Sequence, residues 1–247
     1  MLGMQGGQLV REARRRAGLT QRQLAARSGF TGELWAAGEP VYRHILIHPF
    51  LGGLSDGTLD LQAFRFYVVE DAYYLTQFAR TLSVLASKAP RDEWIVAFDR
   101  DAIGSLEAER ALHESYFRDF GLSEQEIRAR PPAPTNLAYT SYLLATVHSS
   151  PFVEALSAVL PCYWIYAEVG KALARKGSPN PLYQRWIDNY GSEAYDATVE
   201  AILGIMDEAA KEEGPKSRAN MIRHFVTTSR WEWMFWDMGY RQEAWPI

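Results

Sequence analysis

Cys162 is the only cysteine among 247 residues and sits in the run LPCYWIY at positions 160–166. A lone thiol cannot form an internal disulfide. Two roles remain for it, a small inert core residue or a nucleophile. Which one applies depends on the groups that the chain can bring beside it. Two carboxylates in apolar surroundings are candidates. Asp71 falls in a helical series with Tyr67, Tyr74 and Phe78, spaced i, i+4, i+7 and i+11, so all four share one face. An aspartate inside such a stripe is costly to bury without a partner. It either faces water at the edge of the seam or binds something. Glu232 lies within Trp231-Glu232-Trp233-Met234-Phe235-Trp236, and shares a face with Phe235 and Trp236. If buried, its pKa is raised, which suits proton transfer; otherwise its side chain reaches solvent at the bundle edge. Cys162, Tyr166 and Val169 follow the same i, i+4, i+7 spacing on another helix, while Tyr139 and Tyr142 lie on a fourth and Tyr190 ends a fifth. Together these residues describe a closed aromatic pocket for a flat, polar small molecule, in which the thiol attacks and the carboxylates hold and protonate.

Other chemistries fit less well. Di-iron bundles use Glu-x-x-His pairs, and none of the histidines at 44, 48, 113, 148 and 224 has a glutamate three residues earlier. Glu109 and His113 are one turn apart, but one such pair does not make a dinuclear site. The sequence has no Gly-rich phosphate motif, no Gly-x-Ser-x-Gly and no Cys-x-x-Cys.

The elements that must position these residues read as helices almost throughout. Helices are expected over Asp60 to about Ala86, from Pro90 to about Phe120 with Gly121 as its stop, Thr135–Val147, Pro151–Lys176, Pro181–Asn189, Ser192–Glu212 and Pro215–Met238. Ser123 and Glu126 form a capping box for a short helix, followed by a rigid connection at Pro131, Pro132 and Pro134. Pro161 removes a backbone donor within its helix and should kink it beside the thiol. No alternating strand pattern of useful length appears. The class is all-α, a bundle around a central pocket.

Composition narrows the setting. With 47% hydrophobic residues the chain is large enough for one sizeable core or two small ones. A net charge of -4 leaves no global basic footprint for nucleic acid. No window of about 18 uncharged apolar residues points to a membrane span. The polar, glycine-rich start and the single cysteine lead us to expect a cytoplasmic protein. Charge is uneven, because residues 1–30 hold six arginines and one acid.

The segments FRFYVVEDAYYL (64–75), LAYTSYLL (137–144), LPCYWIYAEVGK (160–171), WIDNYGSEAY (186–195) and SRWEWMFWDMGY (229–240) resemble the TenA/thiaminase II family in order and spacing. The resemblance runs from about Phe30 to Met238. Glu70 departs mildly from it, standing where many members have glutamine. The resemblance implies a haem-oxygenase-like, TenA-like helical fold, usually a homotetramer, with no metal or organic cofactor. It implies hydrolysis of 4-amino-5-aminomethyl-2-methylpyrimidine, or of thiamin itself, to the hydroxymethyl pyrimidine in thiamin salvage or synthesis. Retention of the cysteine places the chain with the cysteine-containing branch. By position, Cys162 matches the nucleophile and Glu232 the acid/base carboxylate. Asp71 matches the residue that binds the amino-imine edge of the pyrimidine and helps position the thiol. Tyr74, Tyr139 and Tyr166 match aromatic pocket positions, Phe235 a further wall, and Tyr190 a tyrosine that orients the glutamate. The alternatives are a cofactor-independent redox enzyme of the same helical architecture and a DNA-binding regulator.

The regulator alternative rests on residues 7–29, which resemble the first two helices of a Cro/repressor-type helix-turn-helix through Leu9, Ala13, Ala17, Gly18, Leu19, Gln21, Leu24 and Ala25, with Thr20 as a cap. No recognition helix follows, so sequence-specific DNA binding is not expected. The chain therefore divides into an extension, 1–29, and a helical domain, 30–247.

Overall fold

The computed structural model describes residues 29–123, 125, 127 and 129–247, without the side chains at 108–111 and 113. Residues 7–28 of the helix-turn-helix-like segment, the side chains of the Glu109–His113 pair, and Glu126 of the expected capping box lie outside what is described. Nine α-helices appear among the described residues: α1 Phe30–Leu46, α2 Pro49–Asp56, α3 Leu61–Lys88, α4 Asp92–Phe120, α5 Pro134–Ser149, α6 Phe152–Ala174, α7 Pro181–Tyr190, α8 Glu193–Ala209 and α9 Pro215–Arg241. A 3-10 turn, Ala210–Glu212, follows α8. No strand is present among the described residues.

The helix boundaries follow local chemistry. Asp60 caps α3 by accepting from the backbone N–H groups of Gln62 and Ala63. Asn180 caps α7 and Ser192 caps α8 in the same way. Pro134, Pro181 and Pro215 occupy first-turn positions, where a missing N–H costs nothing. Gly121 closes α4 at φ 63°, a left-handed conformation that suits glycine. Pro90 does not open α4 as expected. It stops α3, because Ala89 before it is extended at φ -65° and ψ 131°, and α4 begins only at Asp92. Helix α6 runs unbroken through Pro161.

Two helices organise the rest. Helix α6 packs against α9, α7, α8, α5 and α3, while α9 packs against α6, α1, α3, α5 and α2. Helix α6 is long and apolar enough to cross a membrane, but its apolar stretch is 94% buried by these neighbours, as befits a core helix. Large buried aromatics, among them Tyr67, Tyr139, Trp186, Phe225, Phe235 and Trp236, fill the space between them. Each such side chain contributes about 1.5–3 kcal/mol on burial. Close approach is needed at Gly170, where a Cβ would lie 2.3 Å from the backbone carbon of Tyr190. That contact seats the end of α7 directly on α6.

Candidate active site

Burial decides between the open readings of the two carboxylates. Glu232 is 1% exposed and Asp71 4%, so neither reaches solvent at a bundle edge. Cys162 is also buried. On α3, Tyr67, Asp71, Tyr74 and Phe78 are all buried, as their shared spacing requires. On α9 the face of Glu232, Phe235 and Trp236 is buried, while Met234 points outward. Helix α6 is buried on every side from Ala155 to Gly170, so periodicity alone could not single out the face of its thiol.

The structure brings the eight candidate residues into one aromatic box. The Tyr139 hydroxyl donates to Glu232 Oε1 at 2.5 Å, a short hydrogen bond. The Tyr74 ring lies 5.2 Å from Tyr139 and 5.3 Å from Phe235, centroid to centroid. Tyr166 lies 5.0 Å from Tyr190 and 4.9 Å from Trp236, and its hydroxyl is 3.2 Å from that of Tyr67. The hydroxyl of Tyr195 donates to the Cys162 carbonyl at 3.3 Å and so braces the backbone of the thiol.

Electrostatics tie the thiol and both carboxylates to the same walls. Burial pushes the Glu232 carboxyl up to about 8; the Tyr139 hydrogen bond opposes this and the charge of Asp71 adds to it. The acid is therefore mostly protonated near neutral pH, ready to donate. Burial also holds the Tyr74 hydroxyl far above its usual range, helped by the charges of Cys162, Tyr139 and Glu232. Tyr139 responds first to burial and then to Glu232 and Cys162, while Tyr166 responds to burial, Tyr67, Glu232 and Asp71. The indole N–H groups of Trp186 and Trp236 are buried without a hydrogen-bond partner in the protein.

Several further residues shape the box without having been assigned a site role above. Trp186 packs 4.6 Å from Tyr190, and Trp236 packs on Tyr166. Glu70 and Asn136, both buried, join α3 to α5 behind the box. In the sequence, the proline-led connection marks the start of α5, but nothing there pairs Asn136, in its first turn, with Glu70. Tyr142, on the same helix as Tyr139, turns away to bond His224 Nδ1. His48 caps α2, and His44 bonds the Pro40 carbonyl. A separate cavity of about 800 Å³ opens on the other side of α3, walled by Glu70, Tyr73, Gln77, Phe117, Arg118 and Arg130 among others. Cys162 and Glu232 are not part of its lining.

The all-helical bundle that carries these residues has the haem-oxygenase-like fold. A domain with that fold from Shewanella denitrificans superposes with a TM-score of 0.68 at 14% identity, covering 86% of this chain and 92% of that one, a likeness of fold alone. More specifically, the chain belongs to the TENA/THI-4/PQQC family, whose sequence profile matches residues 35–242. It is 39% identical to the aminopyrimidine aminohydrolase of Bacillus subtilis over 216 residues, 87% of this chain and 92% of that one. It is 34% identical to the aminopyrimidine aminohydrolase of Halalkalibacterium halodurans, covering 87% of this chain and 97% of the relative. Among solved structures, a TenA homologue from P. horikoshii superposes with a TM-score of 0.80 at 30% identity, covering 86% of this chain and 99% of that one.

Proposed function

We propose that this protein is an aminopyrimidine aminohydrolase that converts 4-amino-5-aminomethyl-2-methylpyrimidine to its 5-hydroxymethyl counterpart in thiamin salvage, with thiamin as a second substrate. The observation that carries this reading is the convergence of Cys162, Asp71 and Glu232 in one box of tyrosines. Similarity to two named aminopyrimidine aminohydrolases supports it.

Direct displacement of an amine from an aminomethyl arene is slow. Addition of the Cys162 thiolate to the pyrimidine ring breaks aromaticity and places an electron pair where it expels the exocyclic amine. Asp71 holds the amino-imine edge and favours the electrophilic, protonated form of the ring. Glu232 gives its proton to the departing nitrogen, which leaves as ammonia. The carboxylate so formed takes a proton from water as hydroxide adds to the exocyclic carbon. The thiolate then departs and the aromatic ring returns. Tyr74, Tyr166, Tyr190 and Phe235 enclose the ring and keep bulk water out, while Tyr139 orients Glu232.

The substrate is tested by incubating the protein with aminopyrimidine and with thiamin, and assaying ammonia and thiazole release respectively. Ammonia release from the aminopyrimidine in a Cys162-dependent manner is expected; no turnover of either compound overturns the reading. We further infer a cytoplasmic homotetramer. Exposed Val96 and Ile103, one face of α4, supply apolar surface that a subunit contact would cover. Light scattering should then give about four times the 28.0 kDa chain mass. We also retain the division into an extension, 1–29, and a catalytic domain, 30–247. Removal of the extension should leave hydrolysis unchanged.

A further inference from the structure

Behind the aromatic box, one residue of α3 is gripped by the start of α5. Glu70 is buried, and its carboxylate Oε2 accepts from Asn136 Nδ2 at 2.7 Å and from the Ala133 backbone N–H at 3.1 Å. The same Asn136 amide also donates to the Glu70 backbone carbonyl at 2.8 Å. Asn136 is fully buried and its Oδ1 has no hydrogen-bond partner, so the side chain serves as a donor only. A buried amide that leaves its oxygen unpaired yet gives both donor bonds to one residue is committed to that residue. The two gripped points each adjoin the chemistry. Asp71 follows Glu70 directly on α3. Tyr139, one turn after Asn136 on α5, holds Glu232.

We propose that Glu70 and Asn136 are positioning residues, a hydrogen-bonded clamp that fixes Asp71 in relation to Tyr139 and Glu232. The proposal rests on the hydrolase reading for its kinetic consequence but not for its structural one. The clamp sets the separation of the group that holds the ring and the group that protonates the leaving amine. It acts through its neighbours and touches no substrate. Glutamine at position 70 retains an oxygen able to accept from Ala133 and Asn136, so Glu70→Gln should preserve the clamp. Alanine at either position breaks it.

The experiment compares the parent with Glu70→Gln, Glu70→Ala, Asn136→Ala and the double alanine variant, in two readouts. The first is kcat for ammonia release. The second is an infrared titration of the Glu232 carboxyl, assigned by its loss in Glu232→Gln, which needs no turnover. Each alanine variant should lose at least about tenfold in kcat, with the double variant no worse than either single one, because both remove the same clamp. Their Glu232 titration should move toward the ordinary glutamate range as the box loosens and water enters. Glu70→Gln should keep both parental values. Parental kcat and titration in both alanine variants, or losses that add independently, would overturn the clamp even if melting temperatures fall. If the parent proves inactive while the titration shifts as expected, the hydrolase reading fails and the clamp stands.

Discussion

The hydroxyl of Tyr139 lies 2.5 Å from Glu232 Oε1, with both side chains shut away from solvent. This bond favours the ionised carboxylate, whereas burial and the charge of Asp71 favour the neutral acid. Burial thus sets the protonation that the reaction needs, and two neighbours adjust it in opposite directions, each of which can be removed separately.

Removing the hydroxyl tips the balance one way. Tyr139→Phe takes away the group that lowers the Glu232 pKa, so the alkaline limb of kcat/KM should move to higher pH than in the parent. The rate on the plateau should fall roughly tenfold as the carboxyl loses its orientation. A pH-rate profile from pH 6 to 10 checks both effects.

Neutralising the aspartate tips it the other way. Asp71→Asn removes the negative charge that keeps Glu232 protonated, so the alkaline limb should move to lower pH. Activity should also fall by roughly a hundredfold, since Asp71 is placed to hold the polar edge of the ring. Opposite displacements of the limb in the two variants would assign it to Glu232.

The same carboxyl imposes a stability cost at alkaline pH. Its folded-state pKa, about 8, lies above the ordinary value of 4.5. The stability linked to it is full below about pH 4.5 and is lost as pH rises through about 8. The slope between those limits is at most roughly 1.4 kcal/mol per pH unit. Glu232→Gln should be inactive yet lose less stability than the parent between pH 5 and 8. Melting temperatures of the two proteins across that range provide the comparison.

Gly170→Ala tests the seating of Tyr190. The added Cβ would meet the backbone of Tyr190 and Gly191, which cannot yield as a flexible side chain does. A destabilisation of about 2–4 kcal/mol is expected, measured by urea unfolding.

Much of this arrangement was legible in the sequence because helical spacing is a geometric constraint. The stripe of Tyr67, Asp71, Tyr74 and Phe78 lies buried on one face of α3, and Glu232 shares its buried face of α9 with Phe235 and Trp236. Spacing could not say whether the carboxylates were buried, because that depends on which helices cover them. On α6 it could not select a face at all, since neighbours surround the helix. The partner of Glu232 was also beyond it. By resemblance Tyr190 is the orienting tyrosine; the short bond to Glu232 in the structure comes from Tyr139, while the Tyr190 ring packs on Tyr166 and Trp186. Long-range hydrogen bonds such as Asn136 to Glu70, 66 residues apart, leave no periodic signal. Pro90 suits a first turn in the sequence but acts as the stop of the preceding helix, because a proline also restricts the residue before it.

The central claim is that Cys162 is the nucleophile, and the most direct test is the rate of ammonia release from 4-amino-5-aminomethyl-2-methylpyrimidine by Cys162→Ser beside the parent. The serine variant should fold, melt within a few degrees of the parent and still bind the pyrimidine, while its turnover falls by about a thousandfold or more. Hydrolysis at the parental rate would contradict the claim and return Cys162 to the status of a buried core thiol.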